Sequence, residues 1–344
     1  MQYVEMNLGA AVLREGPEPE TPPGYARVKV LACGVCATDL HLLRGMVLPR
    51  GATYPVRPGH EVAGIVERVN ARHADVAEGD LVVLHPLAPC GGCAACERGE
   101  DERCETVRAL GMHDPGGFAE WVVWPVSRML AANGLAPAAA ALLADAAATA
   151  HNALRLARVP SGGTLCVLGA GGLGTGALAV ARALDPTVRL AAVVRSEATA
   201  ERLEAIGIEV HCGGLEGAAR DLRRKFGRVD AVIDFSGQAE APAEGVALLA
   251  RGGRLVLGSV VDTPLTLGTS SAFMARELQV LGAYVSTLQD LAAVIELARQ
   301  RRLEAEEWVS HRRSLSNFND AVAIAASRPP GTVRVVVEFD GAAG

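Results

Sequence analysis

The chain changes its hydrophobic rhythm partway along. Up to about residue 146, apolar and polar positions alternate in short runs at 26–32, 61–69, 80–84 and 118–123, each closed by glycine or proline. A period of two is what a half-buried strand requires, so this portion predicts a strand-rich domain. From 164 to about 284 the runs become continuously apolar, LCVLG, LAAVV, AVIDF and RLVLG, with helical stretches between them. Strands buried on both faces and joined by helices predict a parallel α/β sheet. A helical stretch at 288–302 then leads to a last strand at 332–339.

At the head of the second portion stands Gly169-Ala170-Gly171-Gly172-Leu173-Gly174, directly after the strand-like run at 165–168 and before a helical run to Leu184. This strand-turn-helix setting is what a dinucleotide site needs. Gly169 permits the turn, Gly171 lets a pyrophosphate approach the backbone, and Gly174 lets helix and strand pack closely. The helix N-terminus then holds the phosphates. About 20 residues further on, a site for NAD places Asp or Glu on the ribose 2′-hydroxyl. Here the chain reads Val193-Val194-Arg195-Ser196. The acid is missing and an arginine follows, which favours NADP over NAD.

Four cysteines, Cys90, Cys93, Cys96 and Cys104, lie inside fifteen residues. Thiols crowd this way to share a metal, and the spacing, eased by Gly91 and Gly92, predicts a closed tetrahedral zinc site that is structural. The 344 residues suffice for two domains, and half of them are hydrophobic. A net charge of −6, with lysine only at 29 and 225, speaks against a nucleic-acid partner. The acids and prolines of the N-terminus fit neither a secretory signal nor an anchor. Asp145 interrupts the alanine-rich stretch 136–150, so no membrane span is expected and a cytoplasmic enzyme is the default.

Two further runs, Gly34-Val35-Cys36-Ala37-Thr38-Asp39-Leu40-His41 and Gly59-His60-Glu61-Val62-Ala63-Gly64, offer a thiolate and an imidazole, both preferred zinc ligands. Together with GDLVVL, the cysteine lobe, GGFAEWVVWP, GAGGLG and GGRLVLG, in this order and spacing, they make the chain resemble the zinc-dependent medium-chain alcohol dehydrogenases nearly end to end. The resemblance implies a GroES-like catalytic domain at 1–146 and 288–344, with a zinc lobe at 88–106, and a Rossmann domain at 147–287. It implies two zinc ions per chain, the second held by Cys36, His60 and Asp145, where many relatives carry cysteine in the last place. It implies a proton relay from Thr38 past the cofactor ribose to His41, Asp39 orienting His60, and Glu61 beneath the metal. Arg334 resembles an arginine that reaches cofactor phosphate, whereas Ala37 stands where several relatives carry a basic side chain.

Zinc lowers the pKa of an alcohol by stabilising the alkoxide, which readies its carbon for hydride loss to NADP or NAD. Pocket residues of the family correspond to Val47, His85, Pro86, Leu87 and Trp121, mostly apolar, so the expected substrate is a small or medium alcohol, secondary by preference, or its ketone or aldehyde. Such enzymes form homodimers or homotetramers, and the segment 278–285 is the expected pairing edge. Two other readings remain at this point. A zinc-independent quinone or enoyl reductase of the same superfamily needs neither the lobe nor the ligand set, and a non-catalytic dinucleotide-binding protein would be expected to lose both first.

Overall fold

The structure, a computed structural model, describes residues 1–72, 74–261 and 263–340. It opens with a hairpin that the sequence pattern left unread, β1 (Gln2–Asn7) and β2 (Ala10–Glu15), in which Val4 and Met6 point into the core. Then come β3 (Tyr25–Val35), α1 (Ala37–Leu43), β4 (Glu61–Asn70) and β5 (Leu81–Leu84). Two short strands, β6 (Leu87–Ala88) and β7 (Arg108–Ala109), pair across the base of the cysteine lobe, which holds α2 (Ala94–Glu97). β8 (Trp121–Pro125), β9 (Met129–Ala131) and α3 (Pro137–Leu142) follow, and α3 runs into a π-helical turn, Leu143–Ala147.

The middle of the chain alternates strand and helix. After α4 (Ala148–Ala157) come β10 (Thr164–Leu168), α5 (Gly172–Leu184), β11 (Arg189–Val194), α6 (Glu197–Glu204) and β12 (Glu209–Cys212). α7 (Ala218–Phe226), β13 (Val229–Asp234), α8 (Ala241–Leu248), β14 (Leu249–Leu257), α9 (Ser270–Arg276) and β15 (Gln279–Gly282) complete it. The strands form one six-stranded sheet in the order β12-β11-β10-β13-β14-β15, every pair parallel. That is the doubly wound order, with its reversal between β10 and β13. Cys166, Leu168, Val193, Val232 and Leu255 fill its core.

The chain then returns as α10 (Leu288–Arg299), β16 (Val309–Ser314), α11 (Phe318–Ser327) and β17 (Arg334–Glu338). β17 pairs antiparallel with β3, completing a seven-stranded sheet ordered β16-β17-β3-β4-β5-β9, with β8 also on β3. Met1–Asp145 together with the chain from Thr287 onward forms one compact unit, and Ala146–Ser286 forms another. The first unit's core gathers Phe118, Trp124, Leu84 and Val62, each at most 1% exposed, and burying one such side chain contributes roughly 1.5–3 kcal/mol. No described helix is long and apolar enough to cross a membrane.

Candidate active site and metal centres

Three elements of the first unit bring one cluster together. Cys36 follows β3 as the N-cap of α1, where the Asp39 carboxylate accepts from its backbone N–H at 2.8 Å. His60 follows Gly59, whose φ of +102° and whose hypothetical Cβ, 2.7 Å from the Phe118 backbone nitrogen, admit no other residue. Asp145 sits in the π-helical turn after α3, a feature that often marks functional sites. The Asp145 Oδ2 atom lies 3.5 Å from Cys36 Sγ and 3.7 Å from His60 Nε2. The first spacing matches the edge between S and O of a zinc tetrahedron, about 3.5 Å for ordinary bond lengths, and the second is somewhat longer than the edge of about 3.3 Å between N and O. With Glu61, the donor atoms all lie within 4.8 Å of one another, and all four residues are buried.

Burial and mutual proximity shift Cys36, His60 and Glu61 in this cluster. Burial pushes the Cys36 thiol up, and the neighbouring Asp145 carboxylate pushes it further. His60 is raised well above the usual imidazole value: burial works against its charge, but the Asp145 carboxylate and Cys36 outweigh it. Glu61, fully buried, is raised to about 7 by burial, although the Arg334 guanidinium beside it pulls the other way. Arg334 pairs with Glu61, yet Glu61 Oε1 and Arg334 Nε are buried without hydrogen-bond partners. A thiol, two carboxylates and an imidazole are held together in a buried site, where the metal-free fold keeps protons on sulfur and nitrogen that a metal would displace. A divalent, borderline-soft metal fits that S, N, O donor set.

Thr38 joins the cluster, its hydroxyl 3.9 Å from Cys36 Sγ, and His41 stands one turn further along α1, half-buried like Thr38. Asp39 is placed differently from the expectation. It makes no hydrogen bond to His60; its Oδ2 caps Cys36, and its Oδ1 is buried without a partner. As the third residue of α1 it reaches back to the N-cap backbone, so it positions the thiol and affects His60 only through its charge. Arg334 is likewise not on an open surface: its guanidinium, 5% exposed, is committed to Glu61. Of the expected pocket residues, His85 and Leu87 are buried and Val47 is 91% exposed. Trp121 pairs with Lys29 through β8 and lines a separate depression with Gln2 and Ser316.

The four lobe thiols also converge, their sulfurs within 4.8 Å of one another. Cys93 and Cys96 sulfurs are 3.5 Å apart, and the Cys90 N–H points at Cys104 Sγ at 3.4 Å. The Thr106 hydroxyl and the Gly92 N–H lower Cys90 to about 6, and the Cys96 N–H lowers Cys93. Cys96 is pushed up to about 12 by desolvation and its neighbouring thiols. Four sulfurs without a fifth donor describe a closed zinc site.

In the second unit, Gly169 has a φ of +84°, and a Cβ there would stand 2.7 Å from Ser236 Cα. A Cβ on Gly174 would lie 1.9 Å from the Gly169 carbonyl, so the first turn of α5 hugs β10 and leaves room for a dinucleotide at the Gly171 N-cap. Arg195 is exposed just past β11, after the buried Val194, and Ser196 caps α6.

Comparison with known proteins agrees with this geometry. The family model for the alcohol dehydrogenase GroES-like domain matches residues 22–134, and that for the zinc-binding dehydrogenases matches 172–300. L-galactonate-5-dehydrogenase of Escherichia coli K12 is 32% identical over 293 residues, covering 83% of this chain and 84% of its own. D-altritol 5-dehydrogenase of Agrobacterium fabrum C58 is 32% identical over 92% of this chain and 93% of its own. The structure of a zinc-binding dehydrogenase from Sinorhizobium meliloti 1021, bound to NADP, superposes with a TM-score of 0.87 at 29% identity, over 98% of this chain and 99% of that one. The strand order, the two metal-compatible clusters and these matches agree: the chain belongs to the zinc-type medium-chain dehydrogenase/reductase family, as an NAD(P)-dependent alcohol dehydrogenase.

Proposed function

We propose that Cys36, His60 and Asp145 hold a catalytic zinc, that the four lobe cysteines hold a structural one, and that the enzyme interconverts a secondary alcohol and its ketone. The observation that carries this reading is the convergence of the Cys36, His60 and Asp145 donor atoms within 4.8 Å of one another in a buried site. When bound, the metal supplies Lewis-acid polarisation of the alcohol oxygen and the nicotinamide supplies the hydride acceptor. The Thr38 hydroxyl would accept the alcohol proton as it gives up its own toward the cofactor ribose, and His41, on the same face of α1, would receive that proton and release it to solvent. Asp39 holds Cys36 in place through its backbone, and Glu61 with Arg334 balances charge beneath the donors. The buried walls exclude water, which would otherwise compete for the polarised oxygen.

The secondary-alcohol assignment draws on two relatives named for oxidation at carbon 5 of a six-carbon chain, where the hydroxyl is secondary. Those names also support a polyhydroxylated substrate against the small apolar one that the pocket sequence suggests. Val194 and Arg195 support NADP as the preferred cofactor, against relatives named as NAD-dependent alcohol dehydrogenases beside one solved with NADP. Among the described residues β15 is bonded to β14 alone, and its open edge supports a homodimer or homotetramer. A cytoplasmic location is in keeping with the eight free cysteines.

The deciding experiment combines zinc analysis with NAD(P)H formation on three panels: simple secondary alcohols, alditols and aldonates. Two zincs per chain and metal-dependent turnover are expected; turnover that survives complete zinc removal overturns the proposal.

A further inference from the structure

We infer that Arg128 is a positioning residue for the alcohol, tying the cysteine lobe to the ledge beside His60; this rests on the metal-site reading above. The ledge is the segment His85-Pro86-Leu87. It continues from Leu84, whose register partner is Val62, two residues past His60. At its far end Leu87 pairs with Ala109, and the lobe is the excursion 89–107 between these paired strands.

Every backbone polar group of the ledge is held. The His85 N–H donates to the Arg128 carbonyl at 2.8 Å, and the His85 carbonyl accepts from Trp124 Nε1 at 2.8 Å. The Pro86 carbonyl accepts from the Leu110 N–H at 2.9 Å, and the Leu87 N–H reaches His85 Nδ1 at 3.3 Å. Last, the Leu87 carbonyl accepts from Arg128 Nε at 2.9 Å. The Arg128 fork then extends to the lobe, donating from Nη2 to Asp101 Oδ2 at 3.0 Å. Asp101 lies between Cys96 and Cys104, and its carbonyl accepts from the Cys104 N–H at 3.1 Å.

Arg128 is 6% exposed, and burial lowers its pKa. A buried cation is costly, and an apolar side chain of similar volume would serve packing alone at less cost. What an apolar residue cannot do is bridge a backbone carbonyl and a carboxylate with one rigid plane, which the guanidinium does and an ammonium does poorly. The bridge fixes the ledge relative to the metal lobe. A ledge free to shift by a fraction of an ångström misplaces the substrate without disturbing the metal donors themselves.

The test compares Asp101→Asn and Arg128→Lys with wild type in the zinc-loaded enzyme, measuring kcat and KM for an alcohol series, KM for NAD(P) and zinc content. Both variants should raise the alcohol KM about tenfold and compress the differences between alcohols. They should keep two zincs, with kcat and cofactor KM within about twofold of wild type. Should Arg128→Lys fail to fold, Asp101→Asn decides alone, because it keeps Arg128 and its bond to Leu87. An Asp101→Asn alcohol KM within twofold of wild type overturns the inference, as does a rise matched by equal losses in kcat and cofactor affinity. A wild-type enzyme without metal-dependent turnover overturns both this inference and the metal-site reading.

Discussion

The two candidate metal sites are built in opposite ways. The lobe set is local: four cysteines of one excursion meet through turns of a few residues, and their surroundings are backbone N–H groups and each other. The Cys36, His60 and Asp145 set is assembled from β3, the start of β4 and the turn after α3, with Glu61 and Arg334 packed among them. A local site can be closed by its own loop, and its metal then contributes to folding. A site drawn from distant elements is already formed by the fold, so its metal is free to serve chemistry. Removing a donor should therefore cost activity in one set and stability in the other.

The largest expected effect is at Asp145. Asp145→Ala removes one of three donors from the buried set, and kcat/KM should fall by about a thousandfold or more, with one zinc lost per chain and cofactor affinity unchanged. Zinc stoichiometry measured alongside rates checks this. If both zincs and normal rates persist, Glu61 has taken the ligand role and the ligand set proposed here is wrong. In the other set, Cys96→Ser should lower the melting temperature by about 10 °C and remove one zinc. The fraction still folded should turn over at near the wild-type kcat. Loss of turnover without loss of stability would erase the contrast between the sites.

Acid should separate the sites as well. In the metal-free fold His60 holds its proton above its usual pKa and Cys36 holds its own more tightly than a free thiol. Zinc uptake must expel both protons, so affinity at this set rises with pH, by about tenfold per unit for each proton displaced. In the lobe Cys90, at about 6, is already ionised at neutral pH, whereas Cys96, pushed up to about 12, must also give up its proton. Both sets therefore bind more weakly in acid, but the lobe offers four thiolates and the catalytic set three donors, so lowering the pH from 8 to 6 in the presence of a chromogenic chelator should release the catalytic-set zinc first, with activity falling in step. Simultaneous release of both metals, or release of the lobe zinc first, would contradict the assignment.

How far the sequence could be read follows the same division. The lobe and GAGGLG are short, and their chemistry resides in spacing, so the residues alone announce them. The continuously apolar strands of the parallel sheet were as plain, because burial on both faces leaves no competing pattern. Cys36, His60 and Asp145 became a set only through resemblance; in the chain nothing links residues 36 and 145 until α3 and its π-helical turn bring the carboxylate round. The Glu61 and Arg334 pair joins residues 273 apart and was read as two unrelated functions. β16, VSHRRS, escaped because its alternate residues are only half-buried. Arg128 went unread, since no local pattern reveals that a guanidinium will be buried against a carbonyl and a carboxylate.

The smallest effect concerns the cofactor and bears on the second unit, where the choice depends on an exposed side chain rather than a buried set. Val194 ends β11 where an acid would accept from two ribose hydroxyls and repel a 2′-phosphate. Arg195 follows it, exposed, and can pair a phosphate in bidentate fashion. A charge-assisted contact of this kind, in partial contact with water, contributes about 1.5 kcal/mol, so kcat/KM should favour NADP by about tenfold. Arg195→Ala should erase most of that preference by weakening NADP while leaving NAD within about twofold. Val194→Asp should reverse it, because the new carboxylate repels the phosphate and accepts from the hydroxyls. If wild type prefers NAD by tenfold or more, Arg195 is a solvated side chain and the ribose is held by other groups of the second unit.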